Sequence, residues 1–92
     1  MEITAVVKRV EPTKVVGQNG FEMRNLIVTT EEQYPQVLAV QFVQNNVNLL
    51  DALAPGEKVK VQFNLRGREV NNQAGEVQVF NTIQGWKIEV LP

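Results

Sequence analysis

Two arginines on either side of a single glycine are the residues of this chain best suited to chemistry. Arg66 and Arg68 precede a polar stretch, N-N-Q-A-G-E, at 71–76. A guanidinium group binds phosphate through several donors and also stacks on flat rings. Lys58 and Lys60 alternate with apolar residues just before the arginines, which is typical of the solvated face of a strand. We therefore interpret the arginines as candidate anion ligands and the lysines as surface residues.

Catalytic chemistry finds little support in the residue types. The chain has no histidine and no cysteine, which excludes zinc sites built on those ligands and the nucleophilic dyads that need them. Glu31 and Glu32 form a carboxylate pair, but adjacent side chains at a strand end point apart. No glycine-rich phosphate loop is present. We predict a protein that is not an enzyme and that needs neither a metal nor a cofactor.

Length and charge restrict the possible partners. The 92 residues fit one domain, 1–92, and a hydrophobic content of 43% argues against disorder. Nine basic against ten acidic side chains give a net charge of −1. This balance excludes a grossly basic nucleic-acid binder, but a local basic stripe would still attract phosphates. The absence of cysteine, of a leader-like start and of a run of about 18 apolar residues predicts a cytoplasmic protein with no membrane segment.

Alternation of apolar and polar residues predicts β-strands. The clearest stretch, K-V-K-V-Q-F-N-L-R at 58–66, has an apolar side chain at every second position, so one face is buried. Five strands are predicted, at 2–10, 21–30, 36–43, 58–66 and within 77–90. Gly67 and Gly85 lie where the last two strands are expected to bend, because glycine inside a strand marks a bulge or corner.

One segment between the third and fourth strands predicts a helix. Val47, Leu50 and Leu53 recur at three-residue spacing within 46–53, and a Pro-Gly pair follows as a terminator. Three strands, a short helix and two strands within 92 residues are the signature of an OB fold. A small β-sandwich usually lacks that helix, and an SH3-like barrel has shorter strands. We therefore predict an all-β chain, a five-stranded OB-fold barrel with a short helix between strands 3 and 4.

The predicted barrel would bring the candidate ligands together. In an OB fold, the loops after strands 1 and 4 form the walls of the ligand groove, and strands 2 and 3 form its floor. Lys8, Lys14, Arg24 and Tyr34 fall on those elements, and we take Lys8, Arg24 and Tyr34, with Arg66 and Arg68, as the candidate ligands. Cations suit phosphates and flat rings suit unpaired bases, so this set predicts binding of a single-stranded nucleic acid. For Tyr34, the sequence is equally compatible with stacking on a base and with sealing an end of the barrel.

The other aromatic residues differ in how clearly they belong to the core. Phe63 continues the apolar alternation of its strand, which is typical of a core residue. Trp86 precedes Ile88 at period two, and this too favours the core over a stacking platform. Phe21 and Phe80 stay open between the two roles.

Two resemblances extend this interpretation. The stretch L-R-G-R-E-V at 65–70, with the polar residues 71–76 after it, resembles the strand-loop-strand segment of bacterial single-stranded DNA-binding proteins. Nearly the whole chain is similar to a family of small, uncharacterised bacterial and phage OB-fold proteins, through Y-P-Q at 34–36, F-N-L-R-G-R-E at 63–69 and G-W-K-I-E at 85–89. The resemblance implies binding to single-stranded nucleic acid, with DNA favoured over RNA, by a homo-oligomer.

One residue departs from the pattern of the DNA-binding proteins. Val70 stands where an aromatic residue is common, and a stacking contact contributes about 1–3 kcal/mol per base. Binding would then rest on Arg66, Arg68 and Tyr34. The departure, the near-neutral charge and the apolar positions on both faces of strand 2–10 favour an alternative, a protein-interaction or oligomerisation module without nucleic-acid binding.

Overall fold

The computed structural model describes residues 1–92, which fold into six strands and one 3₁₀ helix. The strands are β1 (Glu2–Val10), β2 (Lys14–Val16), β3 (Phe21–Thr30), β4 (Val37–Val43), β5 (Lys58–Asn71) and β6 (Val77–Val90). The helix, Gln44–Leu50, lies between β4 and β5. All five predicted strands are present, and β2 is an additional short one. The chain has no helix with the length and apolar character needed to cross a membrane.

The sheet closes on itself because β1 pairs with two neighbours. The strand order is β1-β5-β6-β4-β3-β2; the first half of β1 pairs antiparallel with β5, and its second half pairs with β3. The register with β3 passes from Val7 directly to Arg9, so Lys8 is the extra residue of a β-bulge. Bulges bend a strand, and this one lies in the half of β1 that pairs with β3, beyond Ala5 and Val6, which pair with both neighbours. The predicted fold class, an all-β OB-fold barrel with a short helix, is confirmed.

Alternate residues of the strands fill the barrel. The buried core cluster consists of Ala5, Val7, Leu26, Val28, Val40, Phe42, Leu50, Val59 and Val61. Within each strand these residues are two positions apart, as the alternation predicts. Burying one Val, Leu or Phe side chain stabilises the fold by roughly 1.5–3 kcal/mol. The inner faces are thereby fixed, and the residues between core positions point outward, where a ligand can contact them.

The helix has the 3₁₀ form, and its two buried residues are three positions apart. A 3₁₀ helix has three residues per turn, so side chains at i and i+3 lie above one another. Val47 and Leu50 have this spacing, and both are buried. The helix begins at Gln44, whose φ of 52° is left-handed, and so starts before the predicted segment 46–53. Its position between the third and fourth long strands is the predicted one.

Gly85 lies under the ring of Phe42 on the inner face of the barrel. A Cβ atom added to Gly85 would lie under 3.0 Å from three ring carbons of Phe42, which is itself fully buried. Beside it, β6 has a bulge in which Trp86 has no pairing partner on β5. The irregularity predicted at Gly85 is therefore present. At Gly67 the register continues without a shift, so no bulge forms there.

Beyond the barrel, β5 and β6 continue as a two-stranded ribbon, here called the hairpin arm (residues 64–82). The pairing is regular along the arm up to its tip. At the tip, Asn72 Oδ1 accepts hydrogen bonds from the backbone N–H groups of Ala74 and Glu76 at 2.9 and 3.0 Å. Gly75 takes a φ of 81°, which glycine adopts without steric cost. The arm is thus a regular two-stranded ribbon, and its side chains alternate between two opposite faces.

Candidate nucleic-acid interface

A groove of about 490 Å³ lies on the outer surface, between the hairpin arm and the outer faces of β3 and β4. Its lining consists of Met23, Gln41, Arg66, Gly67, Arg68, Phe80, Asn81 and Thr82. No carboxylate is among these residues. The groove therefore offers an anion two guanidinium groups beside one aromatic ring.

The arm places both arginines and Phe80 on one face. Arg66 pairs across the strands with Thr82, and Arg68 pairs with Phe80; directly paired residues share a face of an antiparallel ribbon. Arg66 Nε donates a hydrogen bond to Gln84 Oε1 at 2.9 Å, which orients its guanidinium. The Phe80 side chain is 48% exposed. A cation and an accessible ring therefore stand next to each other on this wall of the groove.

The carboxylates nearest in sequence to these groups lie on other faces. Glu69 follows Arg68 on β5, so alternation turns it to the opposite face of the arm. Glu22 alternates in the same way with Met23, which lines the groove floor. The ion pairs of the chain involve neither Arg66 nor Arg68. Neither acid neutralises the groove.

Lys14 adds a third cation on the side of the groove opposite the arm. It is the first residue of β2 and pairs with Met23 of β3, so the two side chains share the outer face. They also line a smaller adjoining cleft of about 90 Å³. Phe21, two residues before Met23, shares this face and is partly exposed. We call Lys14, Arg66 and Arg68 the groove cations.

Ion pairs occupy several basic side chains elsewhere on this chain of net charge −1. Four of the nine basic side chains are in ion pairs, namely Arg9–Glu11 (3.5 Å), Arg24–Asp51 (2.6 Å), Lys58–Glu31 (3.0 Å) and Lys60–Glu2 (3.8 Å). Lys58 and Lys60 are therefore paired surface residues. The remaining five are the groove cations, Lys8 and Lys87. Two of the five unpaired cations thus line the groove, and a third, Lys14, lines the adjoining cleft together with Glu11.

Arg24, which we expected to contact phosphates, has a structural role instead. It alternates with Met23 on β3, so its side chain points away from the groove. Its Nε donates to the carbonyl of Glu11 at 2.8 Å, and its Nη1 donates to the carbonyl of Val47 at 3.2 Å and to Asp51 Oδ1. Only 17% of the side chain is exposed. The guanidinium ties β3 to the 3₁₀ helix and to the chain after β1.

Lys8 and Tyr34 also lie outside the groove lining. Lys8 is exposed at the β1 bulge. Tyr34 is 74% exposed in the loop between β3 and β4, so it does not seal the barrel. That loop begins after Thr30, at the far end of β3 from Met23, a separation of about 23 Å along an extended strand. Of the five predicted ligands, the structure brings together in the groove only the two arginines of β5.

Lys14 and Phe80 lie outside the predicted set of ligands, and strand pairing brings both of them to the groove. Lys14 lies on a strand of three exposed residues, which has no alternation of buried and exposed positions to mark it. Phe80 lies opposite Arg68, and this register depends on the turn between β5 and β6. Val70, two residues beyond Arg68, shares the face. Phe80 therefore supplies on β6 the ring that is lacking at Val70.

Comparisons with known proteins agree with the barrel. A family model described as a domain of unknown function (DUF3127) matches residues 2–89. No curated protein matches the sequence. Among solved structures, a crystal structure of the mitochondrial single-stranded DNA-binding protein from S. cerevisiae is similar, with a TM-score of 0.76 and 11% sequence identity. The match covers 99% of this chain and 92% of that chain, which shows a shared fold.

Proposed function

The chain belongs to the DUF3127 family, and we propose that it is a non-catalytic protein that binds single-stranded nucleic acid in the groove beside the hairpin arm. DNA is proposed over RNA because a protein of the same fold is described as binding single-stranded DNA. The cytoplasmic location predicted from the sequence stays a prediction.

The observation that carries the proposal is the composition of the groove. Arg66, Arg68 and Phe80 line it, no carboxylate does, and Lys14 lies at its other side. Single strands are bound by positive grooves that follow the phosphates and by aromatic rings on which bases stack. Duplex nucleic acid lacks free base faces, so such a groove favours the unpaired form.

The pairing of Arg68 with Phe80 supports binding of phosphate and base at adjacent points. Side chains directly opposite each other in an antiparallel pair have Cβ atoms about 4.5–5.5 Å apart. One nucleotide can therefore place its base on the Phe80 ring while Arg68 contacts a neighbouring phosphate. Arg66, oriented by Gln84, lies on the same face, two residues before Arg68 on β5.

The first expected result is salt-dependent binding of a labelled oligo-dT, measured by fluorescence anisotropy. Each neutralised phosphate of a single strand contributes about 0.7 to the slope of log affinity against log salt, so three groove cations give a slope of about −2. The same measurement with oligo-U tests the preference for DNA, and a duplex of equal length should bind more weakly. Failure to bind at about 50 mM salt, or affinity that ignores salt, would refute the proposal.

A second surface supports the further proposal that the chain forms a homo-oligomer. The face of the arm opposite the arginines carries Leu65, Val77 and Val79, which are 61%, 57% and 63% exposed, and it also carries Glu69, which pairs with Val79. Several large apolar side chains exposed on one face of a chain mark an interaction surface. We propose that a second copy covers this face. The same observation favours the second candidate function, a protein-interaction module that does not bind nucleic acid.

Val79→Lys is expected to dissociate the oligomer, because it replaces an exposed apolar side chain of this face with an ammonium group that is costly to bury. Light scattering should give the native protein a mass that is a multiple of the single-chain mass. It should give the variant the mass of a single chain. Val15→Lys is the matched control, since Val15 is equally exposed but lies on β2. A native chain that stays monomeric at all concentrations contradicts this proposal. A stable oligomer without oligo-dT binding supports the second candidate.

A further inference from the structure

Trp86 stands exposed on the strand that forms part of the groove wall, and we propose that it is a second stacking site for the same single strand. In this inference, which rests on the proposed function, the bound strand continues from the groove along the outer face of β6 to Trp86 and Lys87. Three observations support this site: a β-bulge, an unpaired cation and the continuity of the surface with the groove.

The bulge sets the direction in which Trp86 points. Gly85 faces inward beneath Phe42, and Ile88 packs against the core cluster two positions after Trp86. Regular alternation cannot place both of these residues inside, because they are three positions apart. The extra residue of the bulge resolves the conflict by leaving Trp86 and Lys87 side by side on the outer face. The exposure of Trp86, at 45%, agrees with this placement.

Lys87 gives this part of the surface a cation of its own. It pairs with Gln62 across the strands and takes part in none of the ion pairs of the chain. Glu2 of β1 pairs across the strands with Gln62 of β5, but its carboxylate is in an ion pair with Lys60 at 3.8 Å. Glu89 lies two residues further on the same face of β6 and is in no ion pair with Lys87. An exposed indole next to an ammonium group that is in no ion pair repeats, at the base of the hairpin, the combination of ring and cation found in the groove.

The outer face connects the two places without an acidic residue. Gln84 accepts the hydrogen bond of Arg66 and pairs with Gln41, which lines the groove. Trp86 is two residues beyond Gln84 on the same strand. Between Phe80 and Trp86 the outward residues of β6 are Thr82 and Gln84, and the two rings are about 20 Å apart along the strand.

The chain contains a single tryptophan, so its intrinsic fluorescence reports on Trp86 alone. We expect an oligo-dT of about 16 nucleotides, the upper end of OB site sizes, to quench this fluorescence in parallel with the rise in anisotropy. An oligo-dT of about four nucleotides, the lower end, fills only the groove and should leave the fluorescence unchanged. The two measurements therefore distinguish binding in the groove from binding at Trp86.

Trp86→Ala is expected to weaken binding of the long oligo-dT about fivefold to a hundredfold, the loss of one stacked base, and to leave the short one unaffected. Trp86→Phe keeps a ring and should retain most of the long-strand affinity. With Lys87 as a fourth cation, the salt slope of the long strand should be steeper than that of the short strand by about 0.7, and Lys87→Gln should remove this difference. Circular dichroism confirms that each variant is folded.

The outcomes separate this inference from the proposed function. Binding of the long oligo-dT with unchanged tryptophan fluorescence, or with the native affinity in Trp86→Ala, overturns the second stacking site and leaves the groove standing. If neither oligonucleotide shows a rise in anisotropy, both proposals are overturned. Equal weakening of the short and the long strand by Trp86→Ala also overturns the inference, because the effect then lies in the groove.

Discussion

Replacing Arg66 and Arg68 together by glutamine is expected to lower the affinity for oligo-dT about a hundredfold, roughly tenfold for each charge-assisted hydrogen bond to phosphate that the substitution removes. Both guanidinium groups line the groove and have no carboxylate partner. Their full charge is therefore available to phosphate. Glutamine keeps a polar side chain of moderate length, so the fold of the arm should not change. Anisotropy titrations at several salt concentrations measure the effect.

The salt slope distinguishes removal of charge from removal of stacking. With only Lys14 left of the three groove cations, the slope should fall from about −2 to about −0.7. Phe80→Leu removes a ring but no charge, so it should weaken binding at every salt concentration and leave the slope unchanged.

A matched pair of substitutions tests whether position or total charge matters. The double variant Lys58→Gln, Lys60→Gln also removes two positive charges from β5, but these lysines are paired with Glu31 and Glu2. This control should bind oligo-dT nearly as well as the native chain. Equal weakening in the two double variants would show that the groove has no special role, and native affinity without both arginines would refute the proposed site.

Gly85→Ala is expected to destabilise the protein by about 1–3 kcal/mol, the usual effect of overpacking a core. The added Cβ would overlap the Phe42 ring, which is fully buried and cannot withdraw without displacing its neighbours. For a domain of this size, each kcal/mol corresponds to a fall in Tm of about 4–8 °C. Thermal unfolding followed by circular dichroism measures the change.

Gly67→Ala provides the control for this substitution. A Cβ at Gly67 would lie 3.2 Å from the Asn81 side chain, which is exposed and free to rotate away. Its Tm should stay near the native value. Combining Gly85→Ala with Phe42→Leu should cost less than the sum of the two single changes, because the smaller side chain makes room. A native Tm for Gly85→Ala would show that the ring does not restrict this position.

Most of the fold could be predicted from the sequence because its signals are local. The alternation at 58–66 and the three-residue spacing of Val47 and Leu50 reflect which side chains the barrel buries, so strands and helix are visible before any pairing is known. The strand β2 was not visible, because all three of its residues are exposed. Local patterns therefore identified the elements that build the core and missed the element that does not.

The site was harder to predict because it depends on register. Phe80 and Lys14 join the arginines only through their pairing partners on neighbouring strands. Arg24 falls on a predicted groove strand, yet one step of alternation turns it away from the groove. Trp86 was assigned to the core by counting in twos from Ile88, and the bulge shifts that count by one. Residue type alone does not determine which face a side chain occupies.

The two faces of the hairpin arm affect how an oligomer would bind a long single strand of nucleic acid. A second copy seated on the apolar face leaves the arginine face open, because successive residues of a strand point to opposite sides. An assembly of copies then presents several grooves at once. A strand long enough to enter two of them binds the second intramolecularly, and such avidity strengthens binding by about 10²–10⁴ over one groove. Short strands would gain nothing from it, so the proposed homo-oligomer would select its ligand by length.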